Sequence, residues 1–150
     1  MHYTNAVLLE SFRITSFVPI SVPHYASEDV KIRNYVIPKG SVVLPSLFHV
    51  MYDPRHFKEP ENFNPERFID ASGKYVQDDH VIPFSIGKRY CLGQSLAEKE
   101  FFLFFVGLMQ KFKLEQAPNE PLPSYKIDKV PVKGILRNTP NYKLVLKDRN

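Results

Sequence analysis

At 150 residues the chain is long enough for one domain, or part of one, with a sizeable buried core, and 43% hydrophobic residues is an ordinary globular content. Twenty Lys and Arg against 16 Asp and Glu leave +4 with the charges mixed along the chain, so no basic run argues for a nucleic-acid partner. The longest apolar run, Phe101 to Met109, falls well short of the roughly 20 residues a membrane span needs, and residues near Met1 show neither leader nor anchor pattern.

In chain order, Tyr3 to Arg13 carries good helix formers behind a possible Thr4 or Asn5 cap, with Leu8, Leu9 and Phe12 able to line one side. Residues 1–14 are therefore expected to be helical. Across residues 15–52, β-branched groups at Phe17-Val18, Val30 to Ile32, Tyr35 to Ile37 and Val42 to Leu44 are separated by turn signals at Arg33-Asn34 and Lys39-Gly40. These predict short strands, followed by one or two helical turns over Ser46 to Tyr52. Residues 53–83 form a long proline-punctuated loop of no clear period, a length that in a compact domain is functional or tightly packed. Residues 94–112 give the strongest helix signal, with an apolar side built from Leu96, Ala97, Phe101, Phe104, Phe105, Leu108 and Phe112 that is expected to pack in a core. From 113 to 150 two strands are expected, near Lys113 to Gln116 and Tyr142 to Lys147, joined by a proline-rich excursion.

Cys91 is the sole cysteine, which excludes an internal disulfide and leaves metal binding, nucleophilic chemistry or plain burial as its roles. It sits in residues 84–93, Phe84-Ser85-Ile86-Gly87-Lys88-Arg89-Tyr90-Cys91-Leu92-Gly93, just ahead of the strong helix. Unsatisfied N–H groups and the positive end of the helix dipole both favour a thiolate there. The segment resembles the haem-binding signature of the cytochromes P-450, F-x-x-G-x-R-x-C-x-G, with matches at Phe84, Gly87, Arg89, Cys91 and Gly93. At about 5% usage per residue type, five matches at fixed spacing arise by chance at about three positions in ten million.

Two further segments carry the resemblance along the chain. Glu10 and Arg13 are three apart on the first predicted helix and resemble the family's E-x-x-R pair, and Asn64-Pro65-Glu66-Arg67-Phe68 is similar to its P-E-R-F segment. The resemblance implies a fold mainly α with small β-sheets, an α+β class, of which this chain would be the C-terminal, haem-binding and incomplete part. Cys91 would ligate the iron of haem b, with Phe84, Gly87 and Gly93 shaping the sulfur side. Arg89 would meet a propionate, as would His24, and Glu10, Arg13 and Arg67 would form a structural network behind the haem. Electrons would come from NADPH through a reductase docked at a basic face including Lys88, Arg89, Lys99, Lys111 and Lys113.

The implied activity is insertion of one oxygen atom from O2 into a lipophilic small molecule, most like enzymes on the cytosolic face of the endoplasmic reticulum membrane. Membrane attachment would lie in an N-terminal part that these residues do not match. Two alternatives remain open: a haem-thiolate isomerase or synthase of the same fold, and a truncated non-catalytic product that binds haem or competes for the reductase. No segment matches the family's oxygen-side helix, so the 150 residues alone are expected to be inactive. Substrate-contacting segments are expected around Phe17 to Ser21 and Gly134 to Arg137.

Overall fold

Helix α1 (His2–Thr15) begins ahead of Thr4 and Asn5, so neither caps it. It ends where Ser16 enters the left-handed region at φ 39° and donates its N–H to the Phe12 carbonyl at 3.3 Å. The computed structural model describes residues 1–126 and 132–149, so part of the expected proline-rich excursion, 127–131, lies outside the described residues. Ala6 and Ile14 are buried on the side of α1 that also buries the charged Glu10 and Arg13, and Leu8 is buried on another side.

Four antiparallel strand pairs follow among the described residues. Strand β1 (His24–Tyr25) pairs with β4 (Val42–Val43), and β2 (Val30–Ile32) with β3 (Tyr35–Ile37) around the Arg33-Asn34 turn. Arg33 takes a positive φ of 53° there, as a tight hairpin requires. The strand expected at Phe17-Val18 is absent. Pro19 and Pro23 lack N–H donors, and pairing shrinks to a single bridge between Ile20 and Ser46. Instead β1 forms at His24, which the sequence reading passed over.

Helix α2 (Leu47–Met51) is capped by Ser46, whose hydroxyl accepts from the His49 N–H at 3.4 Å. The loop from 53 to 83 is tied down by side chains. Asn64 accepts from the Glu66 N–H at 3.1 Å and opens a 3₁₀ turn over Pro65–Phe68. The Asp70 carboxylate then takes the N–H groups of Ser72 and Lys74 at 2.8 and 3.0 Å. The core lies where α1, α2 and this loop meet, with Ala6, Leu47, Met51, Phe57, Phe68 and Val81 buried together. Burying each of the larger of these side chains contributes about 1.5–3 kcal/mol.

Helix α3 (Gln94–Lys111) runs into β5 (Phe112–Gln116), which pairs in register with β8 (Leu144–Asp148) from Phe112 opposite Asp148 to Gln116 opposite Leu144. A hairpin of β6 (Val132–Lys133) and β7 (Leu136–Arg137) turns at Gly134, inside what the sequence reading left as an excursion. The expected buried side of α3 needs correction. Of the expected side, Ala97, Phe101, Phe105 and Phe112 are partly buried, whereas Leu96, Phe104 and Leu108 are 63%, 70% and 45% exposed, and no residue of the helix is fully buried. Phe12 of α1 meets Phe101 edge-on at 5.0 Å, which turns the Phe101 side inward. Apolar residues surround the helix, so periodicity alone did not select the packed side. No described helix is long and apolar enough to cross a membrane.

Tyr52, just after α2, donates its hydroxyl to the Ile14 carbonyl at 2.6 Å and so ties α2 to α1. Burial pushes its phenol up to about 12, with the nearby Arg13 charge pulling part of the way back. Since the folded value lies above the unfolded one near 10, this contribution is intact below pH 10 and lost as pH rises through 12. Tyr52→Phe should therefore melt at lower temperature than the parent at pH 7, having lost a hydrogen bond, yet show a shallower loss of stability between pH 10 and 12. An equally steep alkaline loss in both proteins would show that Tyr52 is not its source.

Candidate functional site

The segment ahead of α3 is a chain of tight turns. Ser85 donates its N–H to the Ile82 carbonyl at 3.0 Å, a 3₁₀ turn covers Gly87–Arg89, and Tyr90 donates back to Gly87 at 3.2 Å. Ser85 and Gly87 both take positive φ, 63° and 75°. A glycine adopts that conformation at no steric cost, so Gly87 lets the segment double back. The Cys91 N–H reaches the Phe84 carbonyl at 2.9 Å and closes the loop. The thiol is free and exposed.

Gly93 stands at the N-terminus of α3 with no side-chain cap, leaving the first-turn N–H groups turned toward the cysteine loop. A Cβ on Gly93 would lie 3.8 Å from the Cys91 Sγ, so its absence keeps the flank of the sulfur clear. Phe84 is fixed from the other side by Phe12, edge to face at 5.4 Å. Phe12 thus holds both the cysteine loop and α3.

Cys91, Arg89 and Phe84 line one groove of about 440 Å³ with Phe12, Phe17 and Leu47 among its apolar walls. Arg89 is exposed and has no acidic partner among the described residues. His24 is not on the lining of that groove. It lies in β1 with its Nδ1 2.8 Å from the Val22 carbonyl, while Val22 itself lines the groove. The two segments expected near substrate are brought together, since the Arg137 N–H donates to the Phe17 carbonyl at 3.0 Å. The guanidinium of Arg137 lies over the Phe48 ring at 4.4 Å, and burial lowers its pKa from the usual value. Phe12 is marked in the sequence only as one of three apolar residues on the first helix, and its contacts with Phe84 and Phe101, like the Tyr52 bond to Ile14, follow from packing between distant segments.

Behind the groove Glu10, Arg13 and Arg67 meet. Arg13 donates from Nε to Glu10 Oε2 at 2.7 Å and from Nη2 to Oε1 at 2.8 Å, with both side chains fully buried. Its Nη1 reaches the Met51 carbonyl at 2.9 Å, and Tyr52 and Phe57 offer ring faces at 5.3 and 5.2 Å. Glu10 Oε1 also accepts from the Asn64 N–H at 2.9 Å and from Arg67 Nε at 3.3 Å. Arg67 completes the cluster by donating to the Lys58 and Asn62 carbonyls at 3.1 and 3.2 Å. One carboxylate and two guanidiniums are thus saturated with partners, the condition under which buried charge is tolerated.

The residues present fit a flat, anionic-edged haem. A lone thiol faces an apolar groove, Gly93 leaves the macrocycle room, and Arg89 provides a free cation at the rim.

Comparison with known proteins agrees with this geometry. The family model described as Cytochrome P450 matches residues 1–146. Farnesoate epoxidase of Bombyx mori is 42% identical over 99% of this chain, cytochrome P450 2C23 of Rattus norvegicus 47% over 98%, and cytochrome P450 2B4 of Oryctolagus cuniculus 41% over 93%. The chain spans about 29% of the length of the first two relatives and 28% of the third. With its mixture of helices and small antiparallel sheets, its cysteine loop and its match along nearly the whole length, the chain belongs to the cytochrome P-450 family.

Proposed function

We propose that the chain holds haem b through the Cys91 thiolate and forms the sulfur-side part of a monooxygenase that inserts one oxygen atom from O2 into a lipophilic small molecule. The observation that carries this reading is the free Cys91 thiol in an apolar groove, with Gly93 clearing its flank and Arg89 at the rim. Bound haem supplies the iron at which dioxygen is activated.

This chain's residues hold and tune that group. Cys91 would hold the iron, and first-turn N–H groups of α3 that came to bond its sulfur would spread the negative charge and lower electron donation to the metal. Phe84, pinned by Phe12, would cover one side of the sulfur once the group is bound. Arg89 pairs with a propionate, a charge-assisted contact of about 1.5–3 kcal/mol when partly buried. His24 would reach the same propionate edge only from outside the groove, next to Val22 on its lining. Glu10, Arg13 and Arg67 act on folding, not on the reaction. Electrons come from NADPH through a reductase that docks on the exposed Lys88, Arg89, Lys99, Lys111 and Lys113, a contact weakened by salt. The site of action is the cytosolic face of the endoplasmic reticulum membrane.

The test is turnover of the protein made from its longest coding sequence, with NADPH and reductase, on lipophilic compounds that include farnesoate, the compound named for the Bombyx mori relative. Oxygenated product that needs both the reductase and NADPH is expected. Rearrangement of a fatty peroxide without reductase, and no oxygenation with it, would replace this reading with an isomerase. Haem binding with neither activity would identify a non-catalytic product.

A further inference from the structure

The loop from 53 to 83 closes on itself through a cluster that takes no part in the site above. Asp78 lies between two imidazoles, its Oδ2 2.8 Å from His56 Nε2 and its Oδ1 3.0 Å from His80 Nδ1. The two rings stack with centroids 3.5 Å apart and an interplanar angle of 29°. One ligand atom from each residue lies within 4.8 Å of the others. We propose that His56, Asp78 and His80 bind a divalent transition-metal ion of the zinc class and so clasp the neck of this loop.

The donor set is the first support. Two neutral imidazoles and a carboxylate suit zinc, nickel or copper, whereas magnesium and calcium prefer oxygen alone. Distance is the second. Zinc bonds of about 2.0–2.1 Å in a tetrahedral site hold neighbouring donor atoms about 3.3 Å apart. An ion seated on Oδ2 therefore needs the 2.8 Å contact to His56 Nε2 to open by about 0.5 Å, and needs the His80 ring to turn out of the stack so that Nδ1, already within 4.8 Å of the other two ligand atoms, faces the ion.

Rigidity is the third. His56 precedes Phe57 and His80 precedes Val81, both of them buried in the core. The His56 N–H is bonded to the Asp53 carbonyl at 3.0 Å and the Val81 N–H to the Asp78 carbonyl at 3.0 Å. The His80 N–H also fixes Asp78 Oδ1 at 2.8 Å, which leaves Oδ2 for the ion. With all three residues partly open to solvent, an ion can enter and water can complete its coordination.

The test uses the haem-loaded full-length protein, stripped with a chelator and titrated with Zn2+ by calorimetry, beside His56→Gln, His80→Gln and Asp78→Asn. The parent should bind one equivalent more than the His56→Gln/His80→Gln double variant, and each single variant should lose at least tenfold in affinity for that equivalent. The same protein without substitution provides a second readout: Zn2+ should slow acylation of His56 and His80 by diethyl pyrocarbonate, mapped by mass spectrometry, while leaving His24 unchanged. A double variant with the parent's stoichiometry and affinity would overturn the proposal. So would a parent in which Zn2+ protects neither histidine, and in that case the cluster is a hydrogen-bonded clip alone.

Discussion

Replacing Cys91 with serine is expected to abolish the red-shifted Soret band of the reduced carbon monoxide complex, because that shift reports a thiolate bound to the iron. A serine hydroxyl stays protonated where a thiol ionises and gives the iron a weak neutral oxygen in place of an anionic sulfur. Little else should change. The Cys91 side chain is exposed and forms no disulfide, and its backbone N–H keeps the bond to the Phe84 carbonyl at 2.9 Å whatever the side chain. Turnover should fall to background while the apoprotein yield stays near the parent's. A red-shifted band that survives the substitution would remove Cys91 from the metal and with it the proposed function.

Arg13→Ala should have the largest effect on stability. The Glu10 carboxylate is 0% exposed and would lose two charge-assisted bonds, while the Met51 carbonyl would lose its donor. Truncating one partner of a buried pair costs about 3–5 kcal/mol. For a chain of this size that lowers the melting temperature by roughly 10 °C. Arg67 would still reach Glu10, but at 3.3 Å and from a partly exposed side chain, so it compensates poorly. Most of the variant should be recovered without haem. An uncharged double variant, Glu10→Leu with Arg13→Met, should recover part of the loss, since the fully buried pair is removed together and Arg67 keeps the Lys58 and Asn62 carbonyls. If Arg13→Ala folds and loads haem normally but turns over slowly, the network belongs to the chemistry instead.

How much could be read in advance depended on whether the signal was local. Val30 to Ile32 and Tyr35 to Ile37 flank a two-residue turn, and both strands form in register. Ser46 caps α2 within three residues, and that short helix forms where expected. The cysteine loop was legible because its constraints are steric and lie within ten residues: a positive φ at Gly87 and bare space at Gly93. Non-local features were less accessible. Which side of α3 packs depends on Phe12, far earlier in the chain, and a helix apolar all round does not reveal that choice. His24 pairs with Val43 although Pro23, just before it, has no N–H to donate and interrupts the strand signal of Val22 and Tyr25. The His56, Asp78 and His80 cluster drew no notice, because it joins two ends of a loop whose path follows from no period.

Helix α1 gives the chain an order in time. Its side chains are satisfied by the Met51 carbonyl, the Asn64 N–H, Arg67 and the ring of Phe101, and Tyr52 bonds the carbonyl of Ile14. Every one of those partners is synthesised after it. At about 5–20 residues per second, Glu10 and Arg13 leave the ribosome seconds before Phe101 exists. Until then the bonds to Met51, Asn64 and Arg67 and the contact with Phe101 are unmade, and among the residues of this chain the pair has only each other. Such distant closures are slow to find. Pausing of translation between Arg13 and Phe101 thus prolongs the interval in which α1 is open to chaperones and proteases, and a silent codon change there can alter yield while the protein sequence stays the same.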